Sequence, residues 1–473
     1  MRKHGEADPL SFLLLSLLLI LLPFVSSCSG SHAHMPRLRR LVQEDHDADD
    51  SSFPNSRLRD AYIALQAWKL AILSDPMNLT GNWVGPAVCN YTGVFCSPLP
   101  SDPSLTVVAG VDLNHGDLAG YLPHQLGLLP DLALLHINSN RFCGTLPRSL
   151  RRLALLHELD VSNNRLAGPF PDVVLRLPSL RYLDLRINEF EGAVPPELFD
   201  RDLDAIFLNH NRFAFDIPDN LGNSPVSVVV LANNRFHGCL PASLANMSRT
   251  LNEIILMNNG LSSCFPPEIG LLRSLTVLDV SFNRLVGPLP NVGGMLSLEQ
   301  LDVAHNLLSG GIPASICGLP RLKNFTYSYN FFTGEPPQCF AVQTFDDRHN
   351  CLADRPKQRS ERQSVTSSTF SATAVASSTP SATAVATSTF SAAAVASSTV
   401  ASPSTSVTAS TFCTTAAVLY TISVTAVASL LRTISVASRL LQSAPSPAPS
   451  PLYDEPLPAI VGISYTSPPP PVF

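Results

Sequence analysis

The chain has 473 residues and a formal net charge of −6, with 31 basic and 37 acidic side chains. So mild an imbalance excludes a partner held by bulk charge, nucleic acid above all, and gives no strongly anionic surface. Composition is uneven, with Ser, Thr, Ala, Val and Pro crowding the last quarter, so one packed domain does not account for the whole.

Arg2 and Lys3 precede an apolar run from Leu10 to Val25 that ends in small residues. The run is short for a membrane span, and residues 1–28 read as a secretory signal peptide. Residues 29–55 are polar and acidic and are expected to be disordered. From Leu58 a helical pattern runs through Tyr62, Leu65, Trp68 and Ile72, ending near Ser74 because Pro76 cannot continue it. With Asn82-Trp83 and the close pair Cys89 and Cys96, residues 56–106 form an N-terminal cap.

Between Val108 and Pro337 the chain repeats L-x-x-L-x-L-x-x-N-x-L-x-G-x-L-P ten times. The closing prolines, from Pro123 to Pro337, are 23 to 25 residues apart. This period predicts an α/β solenoid, a leucine-rich repeat horseshoe over residues 107–337 whose open ends need caps. In each copy, as in Leu156, Leu159 and Val161, alternate apolar residues point inward from a short strand. The column Asn140, Asn164, Asn188, Asn211, Asn234, Asn259, Asn283, Asn306 and Asn330 is expected to bond backbone groups that would otherwise be unpaired.

Export permits disulfides. Cys89 with Cys96, and Cys339 with Cys351 in a C-terminal cap over 338–356, are close pairs. Cys239 and Cys264 share a column two residues before successive prolines, about one strand spacing of 4.8 Å apart, which suits a bridge. Cys143 and Cys317 stand roughly 34 Å apart by that spacing and cannot bond to each other, which leaves a disulfide-linked homodimer through either one. Sequons at Asn78, Asn90, Asn246 and Asn324 are candidate glycosylation sites. Residues 357–473 form a low-complexity tail with no packed domain. Thr415 to Leu431 is uncharged but too short and polar to read as a membrane span, and polyproline II is expected from Ala444 to Pro451 and Ser467 to Pro471.

On the strands, the outward residues Tyr182, Phe207, Val228, Val230, Ile255 and Met257 make an apolar stripe where polar residues are usual. Glu158, Asp160, Asp184, Glu253, Asp279 and Asp302 flank it. An exposed apolar centre with an acidic rim suits a cationic partner with a hydrophobic anchor.

Ala61 to Lys69, Asn82-Trp83-Val84-Gly85-Pro86 with Cys89 and Cys96, Asn330 to Glu335 and Asp346 to Cys351 resemble plant leucine-rich repeat extensins over residues 58 to about 360. The resemblance implies a secreted cell-wall protein of the apoplast whose repeats bind small basic cysteine-rich peptide hormones of the rapid alkalinization type. It also implies a hydroxyproline-bearing tail that joins it to wall polymers and contributes to wall organisation and growth. The tail departs from the family, since only Ser467 to Pro471 matches a serine-tetraproline block. An inhibitor of a wall-degrading enzyme, similar to polygalacturonase inhibitors, is the alternative. A glycosidase using Asp160 and Asp184, roughly 5 Å apart, is a third reading with no pocket to support it. No catalytic residue, metal, cofactor, nucleic acid or membrane span is expected.

Overall fold

The computed structural model describes residues 52–262, 265–360 and 363–364, all within one unit of the chain, residues 1–413. The expected signal peptide, nearly all of the acidic segment and the tail with its proline blocks lie outside the described residues.

The N-terminal helix spans Ser56–Ala71, three residues shorter at its end than the sequence pattern suggests, because the chain turns into a strand at Ile72–Ser74. Its start is fixed by Asn55, whose side chain accepts from the Leu58 amide at 2.9 Å. Leu58, Leu65 and Trp68 face inward, and Trp68 packs edge-on to Trp83 with ring centroids 6.2 Å apart. This helix and the antiparallel strands Val94–Leu99 and Asp102–Asp112 close the first repeat, whose apolar interior would otherwise meet water.

Beyond the cap the chain is a leucine-rich repeat solenoid. The three-residue strands join side by side in a 12-stranded sheet, parallel from the second strand onward, which lines the inner face. An 8-stranded sheet and short 3-10 turns, each entered through a closing proline, form the outer face. One apolar core runs between them from Leu58 to Leu352.

The asparagine column explains how so short a strand is held. Asn164 accepts from the Phe142 amide of the preceding repeat at 2.9 Å and donates to the carbonyls of Ile137, Val161 and Ser162. The same bonds recur at Asn188, Asn211, Asn234, Asn283, Asn306 and Asn330. They satisfy backbone groups that the turn leaves unpaired. The ladder extends one rung further than the repeat count suggests, to Asn350 in the C-terminal cap. Arg355 ties that cap together by bonding Glu335 at 3.0 Å and Asp347 at 2.5 Å.

Candidate binding face on the inner sheet

Strand register places the outward side chains in two columns. One holds Glu158, Tyr182, Ala205, Val228, Glu253, Val277, Gln300 and Asn324, and the other Asp160, Asp184, Phe207, Val230, Ile255, Asp279, Asp302 and Thr326. Met257 lies two residues past Ile255, just after its strand. All twelve residues singled out in the sequence therefore share one face, but the two halves of that face differ.

In the N-terminal half the expectation of an exposed apolar stripe is corrected. Tyr182, Ala205, Phe207 and Val228 are buried and form a second small apolar cluster with Val230 at its edge, apart from the main core. Phe207 is only 4% exposed, its ring 5.7 Å from that of Tyr182 and covered at 5.3 Å by the Arg186 guanidinium. The physical reason is register: in-line parallel strands set these large side chains about 4.8 Å apart, so each covers its neighbour.

The acids of this half are buried too. Glu158 bonds His136 at 3.1 Å, a partner the sequence reading overlooked although His136 occupies the second column one repeat earlier. Asp160 accepts from the amide and hydroxyl of Ser162. Asp184 is fully buried, with Arg186 at 2.9 Å. Burial, and then the nearby Asp160 carboxylate, push Asp184 up to about 7 in spite of Arg186. Burial first and Asp184 second raise the Tyr182 phenol.

The C-terminal half is more open. Val230, Glu253, Ile255, Asp279 and Asp302 are all half-buried, whereas Met257 is buried. Burial raises Glu253 and Asp279. Asp302, opposite Asp279 in register, is pushed up to about 7 by burial and then by Asp279. Each aspartate accepts a backbone amide two residues on, Ser281 and Ala304 respectively, which fixes its carboxyl. Gln300, Asn324 and Thr326 continue this open half; the sequence marked Asn324 and Thr326 only as a sequon, and Gln300 gave no signal.

The cysteines require three corrections. Cys89 and Cys96 are bonded, but Cys339 pairs with Cys317 and not with Cys351, which is a free thiol. Cys317 and Cys339 sit on helical segments of consecutive repeats with Cα atoms 4.7 Å apart, while Cys351 follows the ladder residue Asn350. Cys239 is a free, exposed thiol, and Cys264 lies outside the described residues. The strands there pair Gly238 with Leu261, so the residue facing Cys239 is Ser262; counting from prolines missed this two-residue offset. Cys143 is itself disulfide-bonded, so neither it nor Cys317 is a thiol left over for the expected homodimer. Peptide mapping without reduction is expected to recover the Cys89–Cys96 and Cys317–Cys339 links, with Cys239 alkylated in the native protein. A Cys339–Cys351 link would contradict this.

Asn78, Asn90 and Asn246 are exposed, whereas Asn324 is half-buried on an inner strand beside Gln300. Among the described residues no helix is long and apolar enough to cross a membrane, and no cluster of His, Cys, Asp and Glu is placed to hold a metal ion.

Repeat length, parallel inner sheet and asparagine ladder define a leucine-rich repeat protein. A leucine rich repeat N-terminal domain matches residues 60–97, and a leucine rich repeat matches residues 297–319. Leucine-rich repeat extensin-like protein 7 of Arabidopsis thaliana is 66% identical over 309 residues, 65% of this chain and 71% of that protein. Extensin-like protein 6 of the same plant is 60% identical over 318 residues, 67% of this chain and 68% of that protein. The chain belongs to the leucine-rich repeat extensin-like family. Among solved structures, the Arabidopsis receptor kinase HAESA, in complex with the peptide hormone IDA and a co-receptor, has a TM-score of 0.51 at 25% identity over 62% of this chain and 54% of that one. A plant ice-binding protein has a TM-score of 0.52 at 25% identity, over 64% and 97%.

Proposed function

We propose that this protein is a secreted, N-glycosylated component of the cell wall that binds small basic cysteine-rich peptides, of the rapid alkalinization type, on the inner face of its repeats. It acts by binding and not by catalysis, and its tail joins it to wall polymers. The observation that carries the reading is the open half of the inner sheet, where half-buried Val230 and Ile255 lie among Glu253, Asp279 and Asp302. An apolar centre with carboxylates on its flank favours a cationic partner with a hydrophobic anchor. HAESA, of similar fold, is a receptor in complex with a peptide hormone, and membership of the extensin-like family supports the wall setting.

The test is binding of the full chain to a panel of basic cysteine-rich peptides. Association is expected to be faster at low salt, because rim charges steer encounter over a Debye length of about 10 Å at 0.1 M. Asp279→Asn with Asp302→Asn should slow association and weaken binding about tenfold. Undetectable binding at low ionic strength by a folded chain would refute the reading.

A further inference from the structure

A further surface lies along the edge of the outer sheet, where the chain leaves each inner strand and enters an outer one. The residue directly after the ladder asparagine is arginine in five repeats: Arg141, Arg165, Arg212, Arg235 and Arg284. Glu189 is the only acid of the repeats at that position. Arg141 pairs with Asp117 at 2.6 Å and Arg212 with Glu189 at 2.9 Å. Arg165, Arg235 and Arg284 are exposed and form no ion pair among the described residues. The same outer strands also carry Glu191, opposite Arg212, and Asp216, which pairs with His237 at 2.7 Å, so the positive charge of this surface rests on Arg165, Arg235 and Arg284.

The residue directly before each ladder asparagine is held in the left-handed region. Bulky residues such as Phe and Tyr seldom adopt it, whereas His tolerates it better, and from Phe282 onward Phe, His, Tyr and His occupy the position in successive repeats. Phe282, His305, Tyr329 and His349 stack face to face, with successive centroids 4.1, 4.0 and 4.4 Å apart. Stacking covers the ring faces that neighbour one another. The arginine column and the ring ladder meet only at Asn283, between Phe282 and Arg284, and the three unpaired arginines are three and two repeats apart, about 14 and 10 Å at roughly 4.8 Å per repeat.

We propose that this edge binds a linear carboxylated polysaccharide laid along the solenoid axis. The guanidinium fork matches carboxylates, and three unpaired arginines in one column, separated by whole repeats, fit a linear polymer that carries a carboxylate on each unit. The disulfides Cys89–Cys96 and Cys317–Cys339 place the protein in an oxidising compartment, where linear polyanions are polysaccharides and not nucleic acids. The carboxylates of the inner face repel such a polymer and leave that face to a cationic partner, so the two sites are independent.

The test is native electrophoresis of the full chain through gels containing polygalacturonate, with Arg165→Gln/Arg235→Gln/Arg284→Gln as the variant. The wild type should be retarded, and the variant, with an unchanged melting temperature because all three side chains are exposed, should bind about fivefold or more weakly. Fully methyl-esterified polymer should not retard the wild type, and basic-peptide affinity should be the same for both proteins. Equal retardation of variant and wild type, or equal retardation by the esterified polymer, would overturn the proposal. So would binding to anionic phospholipid vesicles without binding to polygalacturonate.

Discussion

Phe207→Ala is expected to lower the melting temperature by several degrees while changing basic-peptide affinity less than about threefold. The ring is buried between Tyr182 and Arg186 in the small cluster on the inner face. Truncating a buried phenylalanine costs about 3–5 kcal/mol in a main core. Here the cluster is small and at the edge of the fold, so about 2–3 kcal/mol is expected, or roughly 2–4 °C per kcal/mol for a domain of this size. Phe207→Leu, which keeps most of the volume, should recover much of that loss. Thermal unfolding and peptide titration of both variants separate stability from recognition. An unchanged melting temperature with a tenfold loss of affinity would show that the ring touches the ligand, and would move the peptide site to the N-terminal half.

The solenoid was legible because its determinants are local and repeated. Leu156, Leu159 and Val161 can point inward only on a strand of that register, and Asn164 can saturate four backbone groups only where the turn leaves them open. The residues of the inner face were legible for the same reason, since alternation decides which side chains share a face. Their exposure was not. Whether Phe207 is a contact surface or a packed ring depends on what stands beside it in the next repeat, and Arg186, two residues past its strand, carried no mark of that role. Disulfide partners failed for a related reason. Counting from the prolines gives the repeat period but not the two-residue offset between neighbouring outer strands that sets Cys239 opposite Ser262. Neither could it show that Cys317 and Cys339 meet on the helical segments.

Stability and peptide binding should respond to pH in opposite directions. Asp184 and Asp302 are both pushed up to about 7, chiefly by burial and then by an aspartate across the strand pair. In the unfolded chain each titrates near 3.9. Between those values the native protein holds protons that the unfolded chain has released, so stability falls as pH rises from about 4 to 7, and above 7 the cost is fully present. The melting temperature should therefore be several degrees higher at pH 5 than at pH 8. Asp184→Asn, a neutral isostere, should flatten part of that slope, and adding Asp302→Asn should flatten more. A cationic peptide prefers the ionised carboxylates, so its affinity should instead increase from pH 5 to 8, and Asp302→Asn should weaken that trend where Asp184→Asn, deep beside Arg186, does not. Melting curves and peptide titrations across this range, on the wild type and both variants, check each sign separately. A melting temperature that rises toward pH 8 would mean that neither carboxyl is held protonated by the fold. An affinity independent of pH would place the peptide away from Asp279 and Asp302.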